Sequence, residues 1–191
     1  MARPSVANER RQQIMEATLA TMTEHGISGT TLDRIAESAG MSRGHVRHFL
    51  GNRDEILVNT ARYFYADDSD SGSSAILPTS VATLDEAIDY LFGEEFTASD
   101  SENTIVLGFV EAARTNPQIA AVLAEAYSQT RERLHSHIVV AHPKADPASC
   151  ENVAQGVLSA ALGNVFIGDF DSETGRSSRT RSAVKKLLNT L

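Results

Sequence analysis

Apolar residues recur every three or four positions along most of the chain, and this period is typical of amphipathic α-helices. The pattern predicts four helices before residue 66, at about 9–24, 31–39, 42–50 and 53–65. It predicts five more after residue 82, at about 83–96, 100–115, 118–140, 148–168 and 177–191. We find no alternating pattern long enough for a β-strand. The sequence therefore predicts an all-α protein.

Two polar segments interrupt this pattern. Residues 1–8 are expected to form a tail. Residues 67–83 are acidic and rich in serine, with one glycine and one proline, and this composition is typical of a loop. We therefore expect an N-terminal domain of residues 1–65 and a C-terminal helical domain of residues 66–191.

The segment 32–49 has the spacing of a helix-turn-helix, within a motif that we place at 31–50. Ala36 puts a small residue where two short helices would cross closely. Gly40 lies at the turn, where the backbone needs a residue that tolerates positive φ. Val46 and Phe49 are three residues apart, so they would share the buried face of the second helix.

The other face of the second helix is polar and cationic. Ser42 follows the turn, where an N-cap is expected. The outward side chains then include Arg43, His45, Arg47 and His48, and none of them is acidic. A short helix with cations outward, held by a small-residue crossing, has the shape that enters a DNA major groove. The alternative is a solvated helical hairpin in an ordinary α-helical protein.

Further characteristic residues flank the hairpin. They are His25-Gly26, Thr30-Thr31, Ile35-Ala36, Ala39 to Gly44 and Asn52 to Leu57. From about Glu9 to Tyr65 the chain therefore resembles the DNA-binding domain of the TetR family of transcriptional regulators. The stretches Arg10–Gln12 and Glu16–Leu19 are most similar to the betaine-regulator (BetI-like) branch of that family.

The resemblance implies that the DNA contacts lie on this hairpin and just after it. The expected contacts are Thr31, Ser42, Arg43, Gly44, His45, Arg47, His48 and Arg53. The chain departs from the family pattern at Arg47, where tyrosine is usual, at Leu50, where an aromatic residue is usual, and at Arg53, where lysine is usual. The usual phosphate contact of that tyrosine is in question at Arg47, although arginine can also reach a phosphate. Arg53 lies in the first turn of a helix, whose N-terminus attracts phosphate, so we expect it to contact the DNA backbone. Asp54 and Glu55 oppose such a contact, and the alternative is simple capping of the helix.

The net charge of −8 is unevenly distributed along the 191 residues. Residues 1–65 hold eight arginines against seven acidic side chains, a net charge of +1. The remainder holds nine basic residues against eighteen acidic ones, a net charge of −9. A near-neutral N-terminal domain with clustered arginines on an acidic body fits a DNA-binding domain attached to a body that does not contact DNA.

The helix predicted at 148–168 is apolar around a wide arc. Small residues form a second face: Gly156, Ala160, Gly163 and Asn164. A helix of this kind must be buried on two sides. The resemblance implies that the last two helices, at about 148–168 and 177–191, pair with their copies across a two-fold axis. Such a homodimer would present two reading helices to a palindromic operator in double-stranded DNA.

A ligand site in the C-terminal domain is implied by the resemblance and not by any motif. The candidate contacts are Phe92, Phe96, Phe109, Arg114, Tyr127 and Phe166, with Glu111 as a further polar group. The alternative for the aromatic residues is an ordinary core. The similarity to the betaine regulators suggests a choline-type cation, which aromatic rings and acids would surround.

We expect no metal, no cofactor and no enzymatic activity. His135 and His137 are two residues apart and so fall on different faces of a helix. No nucleophile-elbow, P-loop, dinucleotide-binding or H-E-x-x-H motif is present. The single cysteine, Cys150, excludes an internal disulfide, and no apolar run approaches the length of a membrane span, so we expect a cytoplasmic protein.

The sequence therefore predicts a homodimeric TetR-type regulator, a repressor that a small-molecule effector releases from its operator. One alternative is a DNA-binding protein without a ligand. The other is a small helical enzyme that carries a similar hairpin.

Overall fold

The computed structural model describes residues 6–66, 76–97, 100–171 and 173–191, and its regular secondary structure in these ranges is α-helical. The helices are α1 (Val6–Gly29), α2 (Leu32–Ser38), α3 (Arg43–Leu50), α4 (Arg53–Tyr65), α5 (Leu84–Leu91), α6 (Glu94–Thr97), α7 (Asp100–Ala113), α8 (Pro117–Ala141), α9 (Pro147–Gly168) and α10 (Arg176–Leu188). The predicted all-α fold is confirmed.

The chain divides into two compact units. In the described ranges, the first unit comprises residues 6–66 and 104–124, and the second comprises the remaining residues. The first part of the first unit ends at residue 66, one residue after the predicted division. Residues 104–124, which the sequence assigned to the C-terminal domain, are instead grouped with the N-terminal residues.

Helix α1 starts at Val6 rather than at Glu9, so part of the expected tail is helical. The expected end at Gly26 is a kink, with φ 66° and ψ 175°, after which one more helical turn reaches Gly29. The Thr30 hydroxyl donates a hydrogen bond of 2.8 Å to the Gly26 carbonyl and so replaces a helical partner that the kink removes. The rest of the expected tail, residues 1–5, lies outside the described residues.

The helix predicted at 83–96 is two helices, α5 and α6, separated near Gly93. Thr83 and Glu86 form a capping box that starts α5. A Cβ atom on Gly93 would lie 2.6 Å from the Asp89 carbonyl oxygen, so the chain turns here where only glycine fits. The prediction of one helix was wrong because the apolar period continues across this break.

The core of the second unit is built mainly by α5, α8, α9 and α10. Its fully buried side chains include Leu77, Ile88, Leu91, Leu134, Ile138, Ala154, Val157 and Ala161. The guanidinium of Arg133 on α8 donates to the Leu77 carbonyl and, at 2.7 Å, to the Pro78 carbonyl. These bonds attach the end of the expected 67–83 loop to the core, whereas residues 67–75 lie outside the described residues.

His137 on α8 is a half-buried titratable group of the second unit, and its Nε2 atom is buried. Its Nε2 atom has no hydrogen-bond partner among the described residues. Burial lowers the pKa of His137 below its ordinary value of 6.5, and the nearby Arg133 lowers it further, while Glu86 opposes both. The folded protein therefore favours the neutral imidazole.

We expect the stability of the protein to decrease on mild acidification because of His137. In the unfolded chain this side chain takes up a proton near pH 6.5, whereas the folded state resists it, so the free energy of unfolding falls as the pH drops from 6.5 towards the lower folded pKa. Urea unfolding at pH 7.5 and 5.5 measures this loss, and His137→Gln should make it smaller. Glu86, whose lowered pKa lies below 4.5, does not titrate in this window. An equal loss in both proteins would contradict the prediction.

Neither a membrane-spanning helix nor a metal-binding cluster occurs in the part of the chain that the structure describes. No helix there is long and apolar enough to cross a membrane. No three side chains of His, Cys, Asp or Glu are grouped there so that they could hold a metal ion. Cys150 is buried in the core of the second unit.

Candidate nucleic-acid interface

Helices α1 to α4 pack around a small apolar core. Ile14 of α1, Ile35 of α2, Val46 of α3 and Ile56 of α4 are completely buried in it. Burial of four such side chains is the main favourable term that holds the short α2 and α3 on the longer α1, because helices of seven or eight residues are not stable alone.

The turn between α2 and α3 has the predicted geometry. Gly40 adopts a positive φ of 62°. The N–H of Met41 donates a hydrogen bond of 2.9 Å to the Ala36 carbonyl and closes the turn. Ala36 is only 5% exposed, which agrees with the expected close crossing of the helices. The helix-turn-helix of residues 31–50 is therefore formed.

The buried face of α3 differs in one position from the expectation. Val46 is buried together with Leu50, four residues later, whereas Phe49 is only half-buried and packs beside the core. Ser42 caps the helix, as predicted, and its hydroxyl accepts a hydrogen bond of 3.2 Å from the His45 N–H. Leu50 therefore fills the position where the family usually has an aromatic residue, and α3 still packs against the core.

The opposite face of α3 is exposed and carries no acidic side chain. We call it the reading face, and it consists of Arg43, Gly44, His45, Arg47 and His48. Among the described residues, its one ion pair with another helix joins Arg43 Nη1 to Asp33 Oδ1 of α2 at 3.3 Å, and both side chains are largely exposed. Such a pair contributes little to stability. Asp33 therefore orients Arg43 without preventing it from exchanging this carboxylate for a phosphate or a base.

Two residues predicted to contact the DNA backbone lie at the two ends of the helix-turn-helix: one at its first residue and one shortly after its last. Thr31 is exposed and caps α2, because its hydroxyl accepts a hydrogen bond of 3.3 Å from the Arg34 N–H. Arg53 begins α4 directly after the capping box of Asn52 and Glu55. Its guanidinium donates hydrogen bonds to the Thr30 and Ile27 carbonyls. A phosphate would therefore compete with these partners inside the protein.

Comparison with known proteins identifies this arrangement. A family model for bacterial regulatory proteins of the tetR family matches residues 14–59. The transcriptional regulator BetI of Paraburkholderia xenovorans is 29% identical over 161 residues, which cover 83% of this chain and 80% of that protein. A DNA-binding domain of the TetR family therefore occupies residues 14–59. BetI of Paraburkholderia phymatum is 39% identical over 67 residues, so this match covers only 35% of this chain and 34% of that relative.

Solved structures share the fold of this chain over almost its whole length. A TetR-family regulator from Cytophaga hutchinsonii has a TM-score of 0.79 at 16% identity, and the match covers 100% of this chain and 98% of that one. A regulator from Saccharomonospora viridis in complex with choline has a TM-score of 0.70 at 14% identity, with 95% and 96% covered. The helical C-terminal domain therefore also has the TetR fold. The matching family model describes bacterial regulatory proteins.

The aromatic candidates for a ligand site in this chain fall in both units. In the second unit, Phe92 is buried in the core, and Phe96 and Tyr127 are partly buried against it. Phe166 is half-buried. In the first unit, Phe109 is completely buried, with its ring centroid 5.9 Å from that of Phe64 and 6.2 Å from that of Tyr65. Phe92 and Phe109 thus serve as core residues.

The polar candidates, Arg114 and Glu111, line an open cavity of about 360 Å³ in the first unit. Arg53 and Asn116 also line it. Both signs of charge are present and much of the lining is exposed, so this cavity is a hydrated surface depression rather than an enclosed pocket.

Sequence reasoning missed two residues that hold the interface of this chain. The Gln13 amide on α1 donates a hydrogen bond of 2.8 Å to the Ala39 carbonyl at the end of α2. Asp33, in the first turn of α2, pairs with Arg43. The sequence could have indicated the role of Asp33, because this acidic residue lies in the first turn of α2, the helix that directly precedes α3. For Gln13 no local pattern indicates a partner 26 residues away.

Proposed function

We propose that this protein binds a palindromic operator as a homodimer, represses transcription from it, and is released by a small molecule. The observation that carries the proposal is the reading face of α3. It is exposed, cationic and without acids, and it lies on a helix whose opposite face is buried in the domain core.

In the proposed complex, α3 lies in the major groove. Arg43 and Arg47 have the donor geometry that reads guanine, and His45 and His48 supply further hydrogen-bonding groups. Gly44 has no side chain, so the backbone of α3 can approach the DNA closely at that position. We propose that the Ser42 and Thr31 hydroxyls, at the starts of α3 and α2, bind phosphates as the N-termini of these helices approach the DNA backbone.

We propose that α9 and α10 form the dimer interface. Gly156 of α9 faces α10 of the same chain, because a Cβ there would lie 3.1 Å from Leu187 Cδ2. Gly163 is different: a Cβ there would meet no atom within 4 Å. Two apolar side chains are exposed near Gly163, at the C-terminal end of α9 and directly after it. Ile167 is 43% exposed and Phe170 is 81% exposed. An open glycine beside exposed apolar side chains supports close packing of a second copy.

The effector is proposed as a small organic cation that binds in the second unit. Phe96, Tyr127 and Phe166 are partly buried, so their rings can take part both in the core and in a site. Aromatic faces attract such cations. One structural neighbour is a complex with choline, and another, the multidrug binding protein EbrR, is a complex with imidazole. Operator binding would place the protein in the cytoplasm.

Selection of bound sequences from random duplex DNA tests the proposal. The purified protein should enrich a palindrome, and its mass on that DNA should correspond to two chains. Choline should then be titrated into the complex, since release of DNA would support an organic-cation effector. Enrichment without release by choline would contradict this ligand class, whereas no enrichment at low salt would contradict DNA binding itself.

A further inference from the structure

Arg53 follows the C-terminal end of the helix-turn-helix in sequence, but its side chain contacts residues at the N-terminal end of the motif. The motif ends at Leu50, and Arg53 begins α4 shortly afterwards. Its Nε atom donates a hydrogen bond of 2.6 Å to the Thr30 carbonyl, directly before the motif. Its Nη2 atom donates a second one, also of 2.6 Å, to the Ile27 carbonyl. One side chain therefore joins the two ends of the motif, across 23 and 26 residues.

The carbonyls that Arg53 contacts lie in the last turn of the kinked α1 and directly after it. After the kink at Gly26, the last carbonyls of the helix lack regular helical partners. The Gly26 carbonyl accepts from the Thr30 hydroxyl, and the Gly29 carbonyl accepts from Arg34 at 2.9 Å. Arg53 supplies charged donors to the Ile27 and Thr30 carbonyls. A cation is favoured here because the C-terminal end of a helix carries partial negative charge.

Both ends of this connection are held by their own local structure. The capping box of Asn52 and Glu55 fixes the backbone of Arg53. Asp54 lies near the third guanidinium nitrogen, with 3.6 Å between Nη1 and Oδ1. At the other end, Thr31 caps α2 immediately after the Thr30 carbonyl. A displacement of Arg53 would therefore be transmitted to the start of α2, and from there to α3.

We propose that Arg53 is a positioning residue that joins the two ends of the helix-turn-helix and so sets the position of the reading face. Its part in DNA binding rests on the proposed function. The planar guanidinium fork serves two carbonyls at once, which the single ammonium group of lysine does less well. The role differs from that of a phosphate contact, because Nε and Nη2, the donor pair that would bind a phosphate at two points, already donate to carbonyls inside the protein.

Amide hydrogen exchange of the free, full-length protein tests the connection without DNA. Arg53→Gln should accelerate exchange of the buried α2 amides of Ile35 and Ala36 by about tenfold or more, the scale of a lost charge-assisted hydrogen bond. The matched control is Arg62→Gln, an exposed arginine in the last turn of the same helix. It should leave exchange in α2 unchanged, and amides of α9 serve as an internal reference for global unfolding. Unchanged α2 exchange in Arg53→Gln would overturn the proposal.

Operator binding over a range of salt concentrations separates positioning from phosphate contact. If Arg53 positions the hairpin, Arg53→Gln weakens binding about tenfold or more while the slope of log Kd against log salt stays as in the wild type. Arg53→Lys should recover only part of the affinity. If Arg53 binds phosphate instead, the slope falls by about 0.9 per DNA-binding domain and lysine restores it, which would overturn the proposal. If the wild type binds no DNA, the proposed function fails, and the exchange experiment still decides the role of Arg53 in the fold.

Discussion

Replacement of Arg47 by alanine is expected to weaken operator binding by about 30-fold to 10⁴-fold, which corresponds to about 1–3 kcal/mol for each of two DNA-binding domains. Arg47 is exposed in the last turn of α3, on the face opposite to the buried Val46 and Leu50. Its loss therefore removes the proposed DNA contact without opening the core. Quantitative binding to the selected operator and to single-base variants measures the effect.

The same measurement distinguishes two roles for Arg47. If it reads guanine, discrimination at one base pair of each half-site relaxes, and the salt dependence changes little. If it binds phosphate, affinity falls equally for all sequences, and the salt slope decreases by about 0.9 per domain. The matched control is Arg62→Ala, which removes an exposed arginine in the last turn of α4, outside the reading face and outside the proposed dimer interface. Binding by Arg47→Ala that equals binding by this control would remove Arg47 from the interface.

The helix-turn-helix could be predicted closely because its signals are local. The caps by Thr31, Ser42 and Asn52 each depend on a hydrogen bond to a residue three positions later. The turn depends on the positive φ of one residue, Gly40. Interactions of this range are encoded within a few neighbouring residues, so residue type and spacing suffice to place them.

The contacts that hold this motif could not be predicted, because they join distant parts of the chain. The spacing gave no indication that Arg53 would bond to Ile27 and Thr30 rather than point to solvent. The same holds for Phe109, which the resemblance suggested for a ligand site and which packs on Phe64 and Tyr65 in the first unit. A period of apolar residues shows that a face is buried, but not which element covers it.

A double replacement of Ile167 and Phe170 by glutamate is expected to convert the proposed homodimer into monomers. The two side chains are exposed and apolar in the single chain, and a dimer formed through α9 and α10 would bury four new carboxylates at a cost of several kcal/mol. The mass in solution should halve at micromolar concentration. Operator affinity should fall by about 10²–10⁴-fold, because each monomer then binds one half-site without the effective concentration that the second domain provides.

The matched control for this double variant is Val140→Glu, which places a carboxylate at an equally exposed apolar position on α8, at 81%. It should leave both the mass and the operator affinity unchanged. A dimeric mass for the Ile167 and Phe170 variant would contradict an interface at this end of α9. A monomeric mass with wild-type operator affinity would instead show that each DNA-binding domain binds alone. The two measurements therefore test separately where the copies meet and whether operator recognition requires both of them.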